Sequence, residues 1–150
     1  MIIPDINLLL YANITSFPQH SLIRKWWEDA LNGDEQVGLP TVSLFGFVRL
    51  ASNPRLFTPA MAVDEAVGRI EAWLEQPHVH LLCPGPRHLE IAFDLLRKLG
   101  AAQNLTTDVQ LAALTLEHQA TLCSNDQDFA RFPGLRWVNP VAGKGLVKTK

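Results

Sequence analysis

The sequence predicts a single α/β domain whose mostly parallel sheet is flanked by helices on both faces. Short apolar runs alternate along the chain with segments whose apolar residues recur every three or four positions. A length of 150 residues and a hydrophobic fraction of 47% suit one domain with one substantial core. We expect the domain to span residues 1–140, followed by a flexible tail over 141–150 where the periodicity is lost.

The N-terminal half begins with a strand and continues with helices. The apolar run at residues 1–3 predicts the strand, and the segment 5–14 follows it as a helix. Three further helices are predicted from apolar residues at helical spacing: Ile23, Trp26, Trp27, Ala30 and Leu31; Leu44, Phe47, Val48 and Ala51; Val63, Ala66, Val67, Ile70 and Leu74. Gly33, Pro54 and Pro77 follow these segments and end them.

The C-terminal half repeats strand and helix in turn. The run VHLLC at 79–83 predicts a second strand, and ATLCS at 120–124 and LRWVN at 135–139 predict two more. Between them, helical faces are formed by Leu89, Ala92, Phe93 and Leu96, and by Val109, Ala112, Ala113 and Leu116. Gly100 is placed to end the first of these two helices.

Charge and hydropathy exclude several classes of protein. A formal net charge of -2 excludes a general polyanion binder, so a nucleic-acid partner would have to be held locally. The start of the chain lacks the basic residues of a signal peptide, and no apolar run approaches the length of a membrane helix. We therefore expect a cytoplasmic protein without a membrane partner.

Four aspartates, Asp5, Asp108, Asp126 and Asp128, stand where strand-like runs give way to helix-like segments. Each alone has an ordinary explanation as a helix cap, a first-turn acid or a turn residue. Parallel strands would nevertheless gather all four at one edge of the sheet. Carboxylates so close need a cation, and Mg²⁺ or Mn²⁺ fits such ligands best. With one or two such ions, the set suits phosphodiester hydrolysis.

Two segments carry a resemblance to a known family. The opening PDINLLLYA and the stretch from TTDVQ at 106 to Pro140 resemble the PIN-domain nucleases, and more narrowly the VapC toxins of toxin–antitoxin pairs. The resemblance implies a PIN-like fold and a Mg²⁺-dependent endoribonuclease that acts as a toxin on RNA such as tRNA or rRNA. It also implies a homodimer and a VapB-type antitoxin whose C-terminal segment lies over the acidic crevice.

The same resemblance assigns roles to individual residues. Asp5, Asp108 and Asp126 match metal ligands, and Asp128 matches an additional acid of the catalytic group. Two neighbouring polar residues, Asn7 and Ser124, match positions that orient the carboxylates. Basic residues at the rim would contact substrate phosphates: Arg49, Arg55, Arg131 and Lys144.

The chain departs from the family pattern on the third helix. Gly46 stands where such proteins usually have a glutamate, and Arg49 lies on the same helical face, where it could hold a phosphate or pair with an aspartate. The missing acid supports an alternative, a degenerate PIN scaffold that binds RNA or a protein without cleavage. A DNA-directed nuclease of the wider PIN group is a second alternative. An aspartate-phosphorylating phosphatase or receiver is disfavoured, because DIN at 5–7 does not supply the DxDxT pattern.

Overall fold

A computed structural model describes residues 1–100 and 105–148, with side chains up to residue 143. Its centre is a six-stranded sheet with the order β3-β2-β1-β4-β5-β6. The strands are β1 (Ile2–Pro4), β2 (Val37–Pro40), β3 (Val79–Leu82), β4 (Thr121–Cys123), β5 (Arg136–Asn139) and β6 (Lys144–Lys148). The first five pair in parallel, and β6 runs antiparallel to β5. The predicted mostly parallel sheet is confirmed.

Helices connect the strands. They are α1 (Ile6–Asn13), α2 (His20–Asn32), α3 (Thr41–Ala51), α4 (Val63–Leu74), α5 (His88–Leu99) and α6 (Thr106–Glu117), with short 3₁₀ helices at Gln127–Arg131 and Pro140–Ala142. Helix α5 ends as the sequence predicts, at Gly100 with a φ of 73°, in the left-handed region that favours glycine. None of the helices in the described parts of the chain is long and apolar enough to span a membrane.

Two hydrophobic clusters lie on opposite faces of the sheet. One cluster contains residues of the helices α1, α2, α3 and α4 together with Val37, Leu39 and Cys123. The other contains residues of α5 and α6 together with Ile3 and Leu122. Successive strand residues point to opposite faces, so the neighbours Leu122 and Cys123 belong to different clusters. Helices therefore cover both faces, as predicted.

Two strands differ from the sequence prediction. Strand β2 at Val37–Pro40 was not predicted, because a short run that contains Gly38 and ends in proline carries little strand signal, although all four residues are buried. At the other end, the sequence predicts a flexible tail over 141–150. The structure instead has β6 at Lys144–Lys148, paired with β5, and residues 149 and 150 lie outside the described residues.

The strand order creates a crevice at the carboxyl ends of β1 and β4. From β1 the chain proceeds outward through β2 and β3 on one side, whereas β4 and β5 lie on the other. In open α/β sheets, such a reversal of strand order leaves the helices diverging and marks the usual place of a binding site. Asp5 follows β1 and Ser124 follows β4, so the fold places both at this point.

Candidate metal and active site

Asp5 is fixed where β1 meets β4. Its backbone N–H donates to Cys123 O at 2.8 Å, which continues the parallel pairing of the two strands. The side chain caps α1 by accepting from Ile6 N at 2.7 Å, and its other oxygen accepts from Ser124 Oγ at 2.7 Å. Burial raises the pKa of Asp5, the hydrogen bonds from Ser124 and Ile6 lower it, and the charge of Asp126 raises it again.

Ser124 uses its whole hydrogen-bonding capacity on this site. Its hydroxyl donates to Asp5 and accepts from Asp126 N at 3.0 Å and from Asn7 Nδ2 at 3.3 Å. A hydroxyl has one proton and two lone pairs, so these three contacts saturate it. Ser124 is completely buried. The structure thus brings Asn7 and Ser124 to Asp5, and their predicted orienting role stays a prediction.

Asp126 and Asp128 open the 3₁₀ helix that follows β4. Asp126 is its N-cap, and one side-chain oxygen accepts from Asp128 N at 2.9 Å. The turn role expected of a lone aspartate is therefore filled, yet it occupies only one of the two carboxylate oxygens of Asp126. Asp128 is exposed. Phe129, which follows, is fully buried in the core.

Asp108 is held differently, in the first turn of α6. It is half-buried and accepts no hydrogen bond from the described residues. Its pKa is raised to about 6, first by burial and then by the charges of Asp126, Asp5 and Asp128, in that order of importance. A carboxylate without partners among other carboxylates is poised to bind a cation.

Three of the four predicted acids form one cluster. Each of Asp108, Asp126 and Asp128 offers an oxygen atom, and these atoms lie within 4.8 Å of one another. Oxygen ligands at such separations fit a hard divalent ion, and the pKa of Asp108 is raised by burial and, after that, by a repulsion between carboxylates that an ion would relieve. Asp5 is not a member of this set, although its charge acts on Asp108. Its role as a direct ligand stays a prediction.

Gly46, at the place of the missing acid, is buried on α3. A Cβ atom there would lie 2.5 Å from Ile6 Cδ1 and 3.1 Å from Ile6 Cγ1, so the side chain after Asp5 fills the space that a side chain at position 46 would need. Arg49, one turn later, is exposed and has no ion pair or hydrogen bond with the described residues. The suggested pairing of Arg49 with an aspartate is therefore not formed.

Three polar residues near the site were not predicted. Asn125 donates to Tyr11 OH at 3.3 Å and accepts from Asn139 Nδ2 at 3.1 Å, and its backbone N–H points to Asn7 Oδ1 at 3.4 Å. Asn125 stands between two residues that were singled out. Tyr11 and Asn139 stand in runs that are typical of an ordinary helix and an ordinary strand. Local sequence patterns therefore do not indicate that each of them contacts Asn125.

Comparison with known families decides the kinship. The family model of the PIN domain matches residues 2–135. The chain belongs to the PIN domain family. Individual relatives are similar in sequence to this chain over almost its whole length. Ribonuclease VapC33 of Mycobacterium tuberculosis is 52% identical over 141 residues, which cover 94% of this chain and 99% of the relative. Ribonuclease VapC37 of the same species is 40% identical over 142 residues, 95% and 99% of the two chains.

Solved structures share the PIN fold at low sequence identity. VapBC2 from Rickettsia felis, bound to a DNA fragment from its promoter, superposes with a TM-score of 0.68 and 17% identity over 93% of this chain and 98% of that one. VapC20 from Mycobacterium tuberculosis, a toxin that cleaves the sarcin-ricin loop, gives a TM-score of 0.66 and 14% identity over 87% and 93%. The low identities restrict these two comparisons to the fold.

Proposed function

We propose that this PIN domain is a metal-dependent endoribonuclease and the toxin of a type II toxin–antitoxin pair. The observation that carries the proposal is the cluster of Asp108, Asp126 and Asp128 at the switch point of the sheet. Further support comes from two ribonucleases that are 52% and 40% identical to this chain. The match covers almost the entire length of each relative. Because RNA is the proposed substrate, we expect the protein to act in the cytoplasm.

Asp108, Asp126 and Asp128 would hold Mg²⁺ or Mn²⁺, with Asp5 close enough for its charge to act on Asp108. When bound, such an ion would lower the pKa of an attacking water and stabilise negative charge on the phosphodiester. Burial raises the pKa of Asp5, and the hydrogen bonds from Ser124 and Ile6 oppose that rise. These contacts also fix the orientation of its carboxylate.

Exposed cations without acidic partners would bind the phosphates of RNA. Arg49, Arg55 and Arg131 are exposed and form no ion pair within the described residues. By contrast, Arg24 and Arg69 are paired with glutamates on their own helices. An unpaired cation can neutralise a phosphate without first losing a protein partner. Lys144 was predicted for the same role, and its side chain lies outside the described residues. Structured RNA such as tRNA or rRNA is the proposed substrate class.

Cleavage of total RNA tests the proposal. Wild type should cut in Mg²⁺ or Mn²⁺ and not in EDTA, and Asp108→Asn should be inactive. Asp94→Asn, which removes an exposed carboxylate paired with Lys98 on α5, is the matched control and should cut normally. RNA binding without metal-dependent cleavage in any variant would instead support the degenerate scaffold. An excess of single-stranded DNA that abolishes RNA cleavage would favour the DNA-directed alternative.

The VapB-type antitoxin is a second part of the proposal. The structures that share this fold include toxin–antitoxin complexes from Rickettsia felis and Haemophilus influenzae. We expect the cognate antitoxin to cover the acidic crevice and thereby exclude RNA. Co-expression with the small reading frame next to the gene should give a stable complex without nuclease activity. A complex that cuts RNA as fast as the free toxin would contradict this arrangement.

A homodimer is the third part. Phe45 on α3 and Leu89 and Phe93 on α5 are 76%, 62% and 48% exposed, and Val42 on α3 packs against the core cluster of α5. Exposed apolar residues on neighbouring helices are typical of a protein interface. Light scattering should give twice the chain mass of 16.7 kDa. Phe93→Glu should give the single mass, whereas the control Leu56→Glu, at an exposed residue outside the helices, should not.

A further inference from the structure

Three asparagine side chains connect the acidic site to the end of β5. Asn139 closes the strand and caps the short helix that follows by accepting from Val141 N at 3.0 Å. Its amide nitrogen donates to Asn125 Oδ1 at 3.1 Å. Asn125 reaches Asn7 through its backbone N–H, at 3.4 Å. Asn139 is 7% exposed, so its hydrogen bonds are shielded from water.

The direction of each amide in this chain is set by a backbone group. Val141 N–H can only donate, so Asn139 must present its oxygen there and its NH₂ group to Asn125. Asn125 then presents its oxygen to Asn139 and its NH₂ group to the hydroxyl of Tyr11. An amide that flipped would put two donors or two acceptors face to face.

The same logic continues to the carboxylate. Asn125 N–H donates to Asn7 Oδ1, so the NH₂ group of Asn7 faces Ser124 Oγ at 3.3 Å. Ser124 accepts there and from Asp126 N, which leaves its single proton for Asp5. The backbone N–H of Asn125 thus orients Asn7, and Asn7 together with Asp126 N leaves Ser124 one hydroxyl orientation, toward Asp5. Asn139 and Tyr11 hold the side chain of Asn125 and so help to fix the position of that N–H.

We propose that Asn139 and Asn125 are positioning residues of the metal site, acting through Asn7 and Ser124 on Asp5. The inference rests on the proposed metal-dependent function, because the purpose of the orientation is to hold the carboxylate of Asp5 in place beside the ion. Groups behind the ligands commonly change metal affinity by about 10- to 100-fold, and a residue one step further away should act more weakly.

Replacement of Asn139 by aspartate isolates the positioning role. Asn139→Asp keeps an oxygen for Val141 N, so the cap persists, but it loses the NH₂ group that meets Asn125. The added negative charge near the site would by itself strengthen binding of a cation. Positioning predicts the opposite, a Mn²⁺ affinity about three- to tenfold weaker than in wild type, measured from the free Mn²⁺ signal in electron paramagnetic resonance.

A second variant covers the case in which Asn139→Asp does not fold. Asn125→Ala removes the contacts with Asn139 and Tyr11 but keeps the backbone N–H that donates to Asn7. It should weaken Mn²⁺ binding in the same direction. Because both residues act along one path, the double variant Asn125→Ala/Asn139→Asp should bind Mn²⁺ about as weakly as the weaker-binding of the two single variants. Full additivity would count against a shared path.

Asn13 offers a matched control. It is a partly buried asparagine with two hydrogen bonds, to Leu9 O and from Arg69, and it has no contact with the acids. Asn13→Asp should leave Mn²⁺ affinity and cleavage unchanged. In Asn139→Asp the kcat for RNA should fall while the KM stays the same, because the substrate contacts are intact.

The outcomes separate this inference from the proposed function. Wild-type Mn²⁺ affinity and kcat in both Asn139→Asp and Asn125→Ala would overturn the positioning role and leave the nuclease proposal standing. A wild type that binds Mn²⁺ but cuts no RNA would overturn the nuclease, and the Mn²⁺ affinities would still decide the positioning role. A wild type that binds no Mn²⁺ would overturn both.

Discussion

Asp5 and Asp108 are acids of one site that are held by opposite means. Asp5 is buried between two strands, and both of its oxygens accept hydrogen bonds. Asp108 lies half-buried on the first turn of a helix, accepts no hydrogen bond from the described residues, and has a pKa raised to about 6. Hydrogen bonds fix the carboxylate of Asp5. The carboxylate of Asp108, by contrast, is repelled by the neighbouring negative charges and is available to a ligand.

The largest expected effect comes from removing the available acid. Asp108→Asn and Asp126→Asn should each lower kcat/KM for RNA cleavage by roughly 10²- to 10³-fold, because charge stabilisation by a metal is worth several kcal/mol in such reactions. Initial rates on a defined RNA at saturating Mg²⁺ check this. Activity within tenfold of wild type in both variants would exclude them as metal ligands.

The fixed acid can be disturbed without touching it. Ser124→Ala removes the hydroxyl that serves Asp5, Asp126 N and Asn7, so the affinity for Mn²⁺ should fall by about 10- to 100-fold. Thr115→Ala is the control, because it also removes a fully buried hydroxyl, bonded to Leu111 O. Both variants should lose about 1 to 3 kcal/mol of folding stability, but only Ser124→Ala should lose metal affinity. An equal loss of affinity in the two would reduce the role of Ser124 to folding.

The availability of Asp108 should appear as a pH dependence. An ion and a proton compete for this carboxylate, so Mn²⁺ affinity should rise by up to about tenfold per pH unit below the pKa of about 6 and level off above it. In Asp126→Asn the midpoint should move to lower pH, since Asp126 contributes the largest charge effect on Asp108. Mn²⁺ titrations between about pH 5 and 7.5 check this, and a midpoint that stays the same in Asp126→Asn would mean that the two carboxylates are uncoupled.

The folding stability of the metal-free protein tests the same carboxylate in the absence of an ion. A folded-state pKa above the ordinary value of 3.8 means that Asp108 favours folding below that value, and that this contribution is lost as the pH rises through about 6. At neutral pH in EDTA, Asp108→Asn should therefore raise stability, by about 1 kcal/mol once the solvent exposure of Asp108 is allowed for.

Asp5→Asn should behave differently when the stability of the metal-free protein is measured by urea titration. In the wild type, Ile6 N and Ser124 Oγ donate to different oxygens of Asp5. The asparagine side chain has only one oxygen, so it cannot replace both acceptors, and stability should not rise. Equal stabilisation by both substitutions would contradict the distinction between a fixed and an available acid.

The smallest expected effect concerns the position without an acid. Gly46→Ala gains up to about 1 kcal/mol of helix propensity but forces Ile6 Cδ1 to move. In an Ile6→Val background, which removes that methyl group, the same substitution should be more favourable by about 0.5 to 1 kcal/mol. Additive effects in this double-mutant cycle would mean that Ile6 does not exclude a side chain at position 46.

The sequence was sufficient for the fold class and for the acids, and insufficient for their arrangement. Asp5, Asp108 and Asp126 could be placed because they border apolar runs whose periodicity is clear. Strand β2 was not predicted, because it forms through its burial between β1 and β3 rather than through the strand preference of its own residues. The tail likewise forms β6 through pairing with β5, which local sequence does not encode.

The site shows the same limit at the level of side chains. The hydrogen bond from Ser124 to Asp5 joins residues 119 positions apart, and the cluster of acids joins the first turn of α6 to the 3₁₀ helix after β4, so neither can be read from local sequence. The contact of Gly46 with Ile6 depends on how α1 and α3 pack. Asn139 could not be singled out, because a polar residue at the end of a strand is usually no more than a cap.

The pairing of β1 with β4 also bears on the synthesis of the protein. Asp5 is made 119 residues before Ser124, the serine that holds it, and the strand against which it is fixed ends at Cys123. The carboxylates therefore cannot assemble on the ribosome until the residues up to Asp128 have emerged. A growing chain that stops short of this point carries Asp5 and Asp108 without the acidic site, which forms only after β4 and the residues that follow it have been made.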